Sequence, residues 1–178
     1  MVSESVRLLR EDILNQSDPV WLGYNELLWA RSLISGAAER WNIVRRGRAT
    51  ADTLKGLPPE IGPHEILVGK FPNRPLNDAE RAEFERWHDV QALATFGAFG
   101  GSHMAIDYER LLRLGLTGLR QEIEGYRARL DSTLPDDVAK DAFYRACLLT
   151  LDGVRVYSEH YAEHAEALAA QADDPARK

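Results

Sequence analysis

From Asp141 to Lys178 the chain reads DAFYRACLLTLDGVRVYSEHYAEHAEALAAQADDPARK. Phe143, Cys147, Thr150, Val154, Tyr157 and Tyr161 recur every three or four positions, the spacing that puts side chains on one face of an α-helix. Pro135 suits a first helical turn, where its missing N–H costs no hydrogen bond, so one long helix is predicted from about Pro135 to Ala170. Upstream, Leu112, Leu116, Leu119, Ile123 and Tyr126 repeat the spacing and predict a second helix from about Asp107 to Leu130. The short connection from Asp131 to Leu134 makes the two an antiparallel hairpin. The polar run Asp173-Asp174-Pro175-Ala176-Arg177-Lys178 reads as the turn between two helices of a longer protein.

Working toward the N-terminus, helical patterns are expected from Ser3 to Asn15, with Ser3 as N-cap, from about Val20 to Ile34, and from about Asn42 to Leu54. Asn77 with Glu80 three positions on has the form of a capping box, and Phe84, Trp87 and Val90 extend that helix to about Leu93. Glu65-Ile66-Leu67-Val68-Gly69, bounded by Gly62-Pro63 and by Pro72 and Pro75, is the one strand expected. The fold class is therefore mainly α, a helical domain with a long antiparallel hairpin and at most a short strand. No repeat is evident, and residues 1–178 are expected to form a single domain.

Composition narrows the function. With 178 residues, 44% of them hydrophobic, the chain is long enough to bury a core. A formal charge of −6 leaves no basic surplus for phosphates or for an acidic membrane surface, so nucleic acid and membrane are not expected partners. There is no long apolar run and no signal-like block in MVSESVRLLRED, so a cytoplasmic location is expected. Cys147 is the single cysteine, which rules out disulfides within the chain and two-thiol chemistry.

Several constellations could carry chemistry. His160 and His164 stand one helical turn apart, a spacing that can share a metal, but they lack a third ligand and read as part of a solvated helix; no metal site is expected. Cys147 lies mid-helix beside Ala146 and Leu148, where a thiol acts as a small hydrophobe. His64 and His88 read as surface residues, and Arg45, Arg46 and Arg48 as an ion-pairing face. His103 follows the glycine-rich Phe96-Gly97-Ala98-Phe99-Gly100-Gly101-Ser102, where backbone can approach a ligand closely, and is the candidate substrate-binding residue. Asp107 is expected to cap the helix that follows.

Four blocks in order, SESVRLLREDIL from Ser3, HEILVGK from His64, SHMAIDYERLLRLGLTGL from Ser102 and the long helix from Asp141, together resemble the N-terminal region of the glycyl-radical enzymes of the pyruvate formate-lyase type. That resemblance covers nearly the whole chain but only about the first quarter of a family member. It implies a piece of an α/β-barrel enzyme of anaerobic metabolism, catalysing radical lyase, dehydratase or formate acetyltransferase chemistry. Family members carry a catalytic cysteine loop inside a ten-stranded barrel and a radical-bearing glycine in an Arg-Val-x-Gly-Tyr-like motif. This sequence has neither, so the chain is expected to bind no cofactor, to hold no catalytic residue and to be inactive alone.

The two groups must meet in one closed cavity, because the glycyl radical generates a thiyl radical that takes a hydrogen from substrate. Cys147 falls in the family's helical region and does not match the catalytic cysteine. His103 matches a position whose histidine contacts substrate in dehydratase members, although Ser102 here separates it from Gly101. The stretch from Phe71 to Gly101 is shorter than in many members, and His64 and Lys70 replace acidic or amide residues. The expected partner is the remaining, C-terminal barrel portion of such an enzyme, or a second copy. A non-enzymatic helical module that uses these helix faces to bind a protein is the alternative. Under the first reading Trp21, Trp29, Trp41 and Trp87 include surface that a barrel would cover.

Overall fold

The computed structural model describes residues 3–15, 23–65, 67–68, 74–87 and 106–172. Six helices follow in order: α1 (Glu4–Leu14), α2 (Tyr24–Ser35), α3 (Asn42–Gly56), α4 (Asp78–Glu85), α5 (Tyr108–Arg127) and α6 (Pro135–Gln171). The mainly helical class is as expected. Local chemistry sets the helix starts. The Ser3 hydroxyl accepts from the Val6 N–H, and Asn77 and Glu80 exchange hydrogen bonds of 2.9 and 3.0 Å with each other's backbone N–H. Asp107 accepts from the Arg110 N–H at 3.0 Å.

Three expectations need correction. The second helix does not begin near Val20 within the described chain: Gly23 is extended and forms an antiparallel bridge with Pro75, and the helix starts at Tyr24. Val20, Trp21 and Leu22 lie outside the described residues. The strand at 65–69 is not formed at Glu65, Leu67 or Val68, and no strand occurs among the described residues; Leu67 is 89% exposed and Val68 49%, so no sheet shelters these two. Ile66 and Gly69 fall outside the described set, as does the end of the fourth helix from His88 onward. The helix after Asp107 is broken rather than continuous, because Gly115 sits at φ 61°, ψ −178°, a backbone region open essentially to glycine alone.

The packing centres on α3. Helix α2 runs antiparallel to it, joined by Ser32 donating to Asp52 at 2.5 Å and by Arg45 donating to the Leu33 carbonyl at 2.7 Å. Leu27, Ala30, Leu76 and Phe84 form a buried cluster beneath α2, with Tyr24, Trp29 and Trp87 against it. Arg31 and Glu83 then tie α2 to α4 through two bonds of 2.9 and 2.6 Å. On its other side α3 crosses α6 at very short range. A Cβ on Gly47 would lie 2.8 Å from the Ala146 Cα, and one on Gly153 would lie 2.6 Å from the Ala51 Cα. Lys55 pairs with Asp152 at 2.5 Å and Arg145 with Glu39 at 3.1 Å, so the numbering rises together along the two helices and they cross in the same sense.

The predicted hairpin is present. Arg127 bonds Asp141 at 2.8 Å and the rings of Tyr126 and Tyr144 stack at 5.9 Å across the α5–α6 turn. Yet α5 contains no buried residue, nor does α1, which meets the 61–68 segment through Asp12 and His64 at 2.6 Å.

Candidate functional site

Helices α3, α5 and α6 leave a groove of about 500 Å³ between them, whose walls include Ile43 and Arg46 from α3, Leu119 from α5, and Phe143 and Cys147 from α6. Trp29 of α2 also lines it. The groove exists because the glycine and alanine contacts pull α3 against α6 while α5 stands off, anchored mainly at the hairpin turn. Its lining is apolar apart from Arg46, Thr50 and Thr150, and the two hydroxyls are taken up by the Arg46 and Ala146 carbonyls at 3.1 and 3.0 Å. Nothing in the primary pattern announced this recess. Its signal is two glycines at separate helix faces, legible only once the helices are paired.

Cys147 lines this groove, and burial pushes its thiol above the ordinary value. A thiol held protonated in this way is a poor nucleophile near neutral pH, in keeping with the hydrophobe expected from its neighbours. Burial also raises Tyr157, as does its contact with the Tyr161 hydroxyl at 3.3 Å.

The other candidates separate. His103, with the glycine-rich 96–102 segment, lies outside the described residues. His160 and His164 sit on α6, and among the described residues no group of three or more His, Cys, Asp or Glu is arranged to hold a metal ion. His64 is not a plain surface residue: it is half-buried against Asp12, 52 positions away, while its neighbour Glu65 accepts from the Gly62 N–H at 2.5 Å. Arg45 serves the carbonyl end of α2 instead of an ion pair, and Arg46 faces the groove. Asp107 is a helix cap, as expected.

No helix among the described residues is long and apolar enough to cross a membrane. Comparison with known proteins then fixes the class. Residues 90–178 match the family described as Pyruvate formate lyase-like. The chain belongs to that family.

Among curated relatives, the (2S)-3-sulfopropanediol dehydratase of Klebsiella oxytoca is 33% identical over 79 residues, 44% of this chain and 10% of that protein. The isethionate sulfite-lyase of Bilophila wadsworthia is 38% identical over 73 residues, 40% of this chain and 9% of the relative. The fold as a whole is similar to the B12-independent glycerol dehydratase from Clostridium butyricum, with a TM-score of 0.81 at 19% identity, over 98% of this chain and 29% of that one. A Roseburia inulinivorans structure described for 1,2-propanediol dehydration gives 0.78 at 19% identity, over 99% and 29%. The chain thus spans less than a third of the solved chains that it overlies.

Proposed function

We propose that this chain is the N-terminal helical portion of a glycyl-radical enzyme, a scaffold that becomes part of a lyase or dehydratase only together with the barrel portion of the family fold. The observation that carries this reading is surface. Among the described residues Ile13, Leu14, Leu112 and Phe143 are each more than half exposed, apolar surface of the kind that an interface covers.

The chain supplies no step of the radical chemistry. No glycine here lies in an Arg-Val-x-Gly-Tyr-like motif, and Cys147, the single cysteine, is a groove-lining helix residue. Both reacting groups would come from the partner portion, in the cytoplasm of an anaerobically growing cell. Substrates of the class named for the relatives, small diols or hydroxy-sulfonates, fit this reading, and His103 remains the proposed contact from this chain.

The test is anaerobic co-expression with the product of the adjacent coding sequence, followed by purification and mass spectrometry. Stoichiometric recovery of a polypeptide bearing the cysteine loop and the glycyl motif supports the enzyme. Recovery of a partner that lacks both overturns it in favour of a protein-binding module.

A further inference from the structure

The groove between α3, α5 and α6 keeps one charged group unused. Among the described residues Arg46 is the only charged one that lines it, although the chain as a whole carries a formal charge of −6. Its guanidinium has no ion pair or hydrogen bond among the described residues; only its backbone carbonyl is engaged, accepting from Thr50 at 3.1 Å. The Thr50 and Thr150 hydroxyls are each spent on a helix carbonyl. An unspent cation in a wall that holds no carboxylate selects an anion, and the guanidinium fork matches the two oxygens of a carboxylate.

The remaining walls select an apolar body. Ile43, Leu119, Ile123, Phe143 and Leu151 face the recess, and its volume of about 500 Å³ falls within the roughly 300–1,000 Å³ of small-molecule sites. On α6 the lining runs from Phe143 to Leu151, a rise of about 12 Å, and on α3 from Ile43 to Thr50, about 10 Å. A helix about 10 Å across and 12 Å long occupies roughly 900 Å³, nearly twice the recess, whereas a single alkyl chain of that length lies within it.

We propose that this groove binds a single-chain carboxylate of about the length of decanoate, with the alkyl chain between α3 and α6 against Leu119 and Phe143, and the carboxylate on Arg46. The site is built from this chain alone and needs no barrel portion.

Isothermal titration calorimetry of the full chain with decanoate, kept below its micelle-forming concentration, should show saturable binding at one site. Octanoate, two methylenes shorter, should bind roughly 15-fold more weakly, since each buried methylene is worth about fourfold. Replacing decanoate by decanol, or making Arg46→Gln, should each weaken binding roughly threefold to fivefold, the size expected of an exposed charge. Phe143→Asp, which puts a carboxylate into the wall, should abolish binding. Arg113→Gln, on α5 outside the groove, should bind as the wild type does. Arg46, Phe143 and Arg113 are all exposed, so the three variants should fold, and far-ultraviolet circular dichroism checks this.

Equal affinity for decanoate and decanol, or equal loss in Arg46→Gln and Arg113→Gln, overturns the anion site. Binding that Phe143→Asp leaves intact places the ligand elsewhere on the chain and overturns it as well. Absence of saturable binding does the same. Coupled with hydrogen-exchange protection of residues 43–50 and 143–151 by a captured polypeptide, that absence would assign the groove to a protein interface. All of these outcomes leave the enzyme reading standing, because capture of a glycyl-motif polypeptide tests it separately.

Discussion

Two glycines and one carboxylate show how much single residues decide. Gly153 has no room for a methyl group, because the Ala51 backbone stands 2.6 Å from where a Cβ would sit, and backbone does not yield as a flexible side chain does. Gly153→Ala should therefore destabilise the chain by about 1–3 kcal/mol, even though alanine is the better helix former. Gly125 on α5 has nothing within 4 Å of its would-be Cβ, and Gly125→Ala should stabilise by up to ~1 kcal/mol. Urea titration of the pair checks both signs. Glu80 is one of several acid-sensitive carboxylates: the Arg74 guanidinium first, and the Asn77 N–H second, hold its carboxyl down from 4.5 to about 2. A carboxylate lowered on folding contributes fully above its ordinary value and loses that contribution as the pH falls toward 2. Glu80→Gln should preserve the α4 cap but flatten the pH dependence of stability between about 4.5 and 2, which thermal melts across that window would reveal.

At the level of elements, burial is unevenly distributed. Helix α3 buries Val44, Gly47, Ala49, Ala51 and Thr53, whereas α1 and α5 bury nothing. Amides of α1 should exchange faster than those of α3 by on the order of a hundredfold or more, and hydrogen-exchange mass spectrometry would show whether they do. Comparable protection of α1 and α3 would mean that α1 is held by more than the Asp12–His64 contact. The same contrast explains what the sequence disclosed. Ser3, Asn77 and Asp107 mark helix starts through bonds reaching three residues, and Pro135 does so by standing in a first turn, so all four were readable locally. The α3–α6 crossing was not, because Gly47 and Gly153 act by lacking a side chain, over a separation of about a hundred positions. The break in α5 was hidden for the opposite reason: the Leu112-to-Tyr126 pattern is helical throughout, and Gly115 is one glycine among three in that helix. The 65–69 segment misled because a short apolar run carries the same signature whether it pairs in a sheet or lies exposed. Of the candidate site, Cys147 and Arg46 were nameable as residues, but the groove joining them depends on three helices meeting.

For the whole molecule, the decisive quantity is surface left in water. With the buried core of the described residues drawn from α2, α3, α4, Leu57, Leu76 and four residues of α6, the chain has little stability to spare, since domains are held by only 5–15 kcal/mol even when compact. A partner that covers the exposed apolar residues binds the folded form alone, so it must raise stability by mass action. At a free partner concentration a hundredfold above Kd the gain is about 2.7 kcal/mol. For a chain of this size, that should lift the melting temperature by roughly 5–10 °C. The sign of the effect separates the two ways in which the surface could be satisfied. If the barrel portion is the cover, the melting temperature of this chain should rise with added partner and stay flat with its own concentration. If a second copy is the cover, it should rise with the chain's own concentration and respond little to the partner. Differential scanning fluorimetry over a hundredfold range of each component distinguishes these outcomes. A melting temperature insensitive to both would mean that the exposed apolar residues are tolerated as they stand, and the scaffold reading would lose its physical basis.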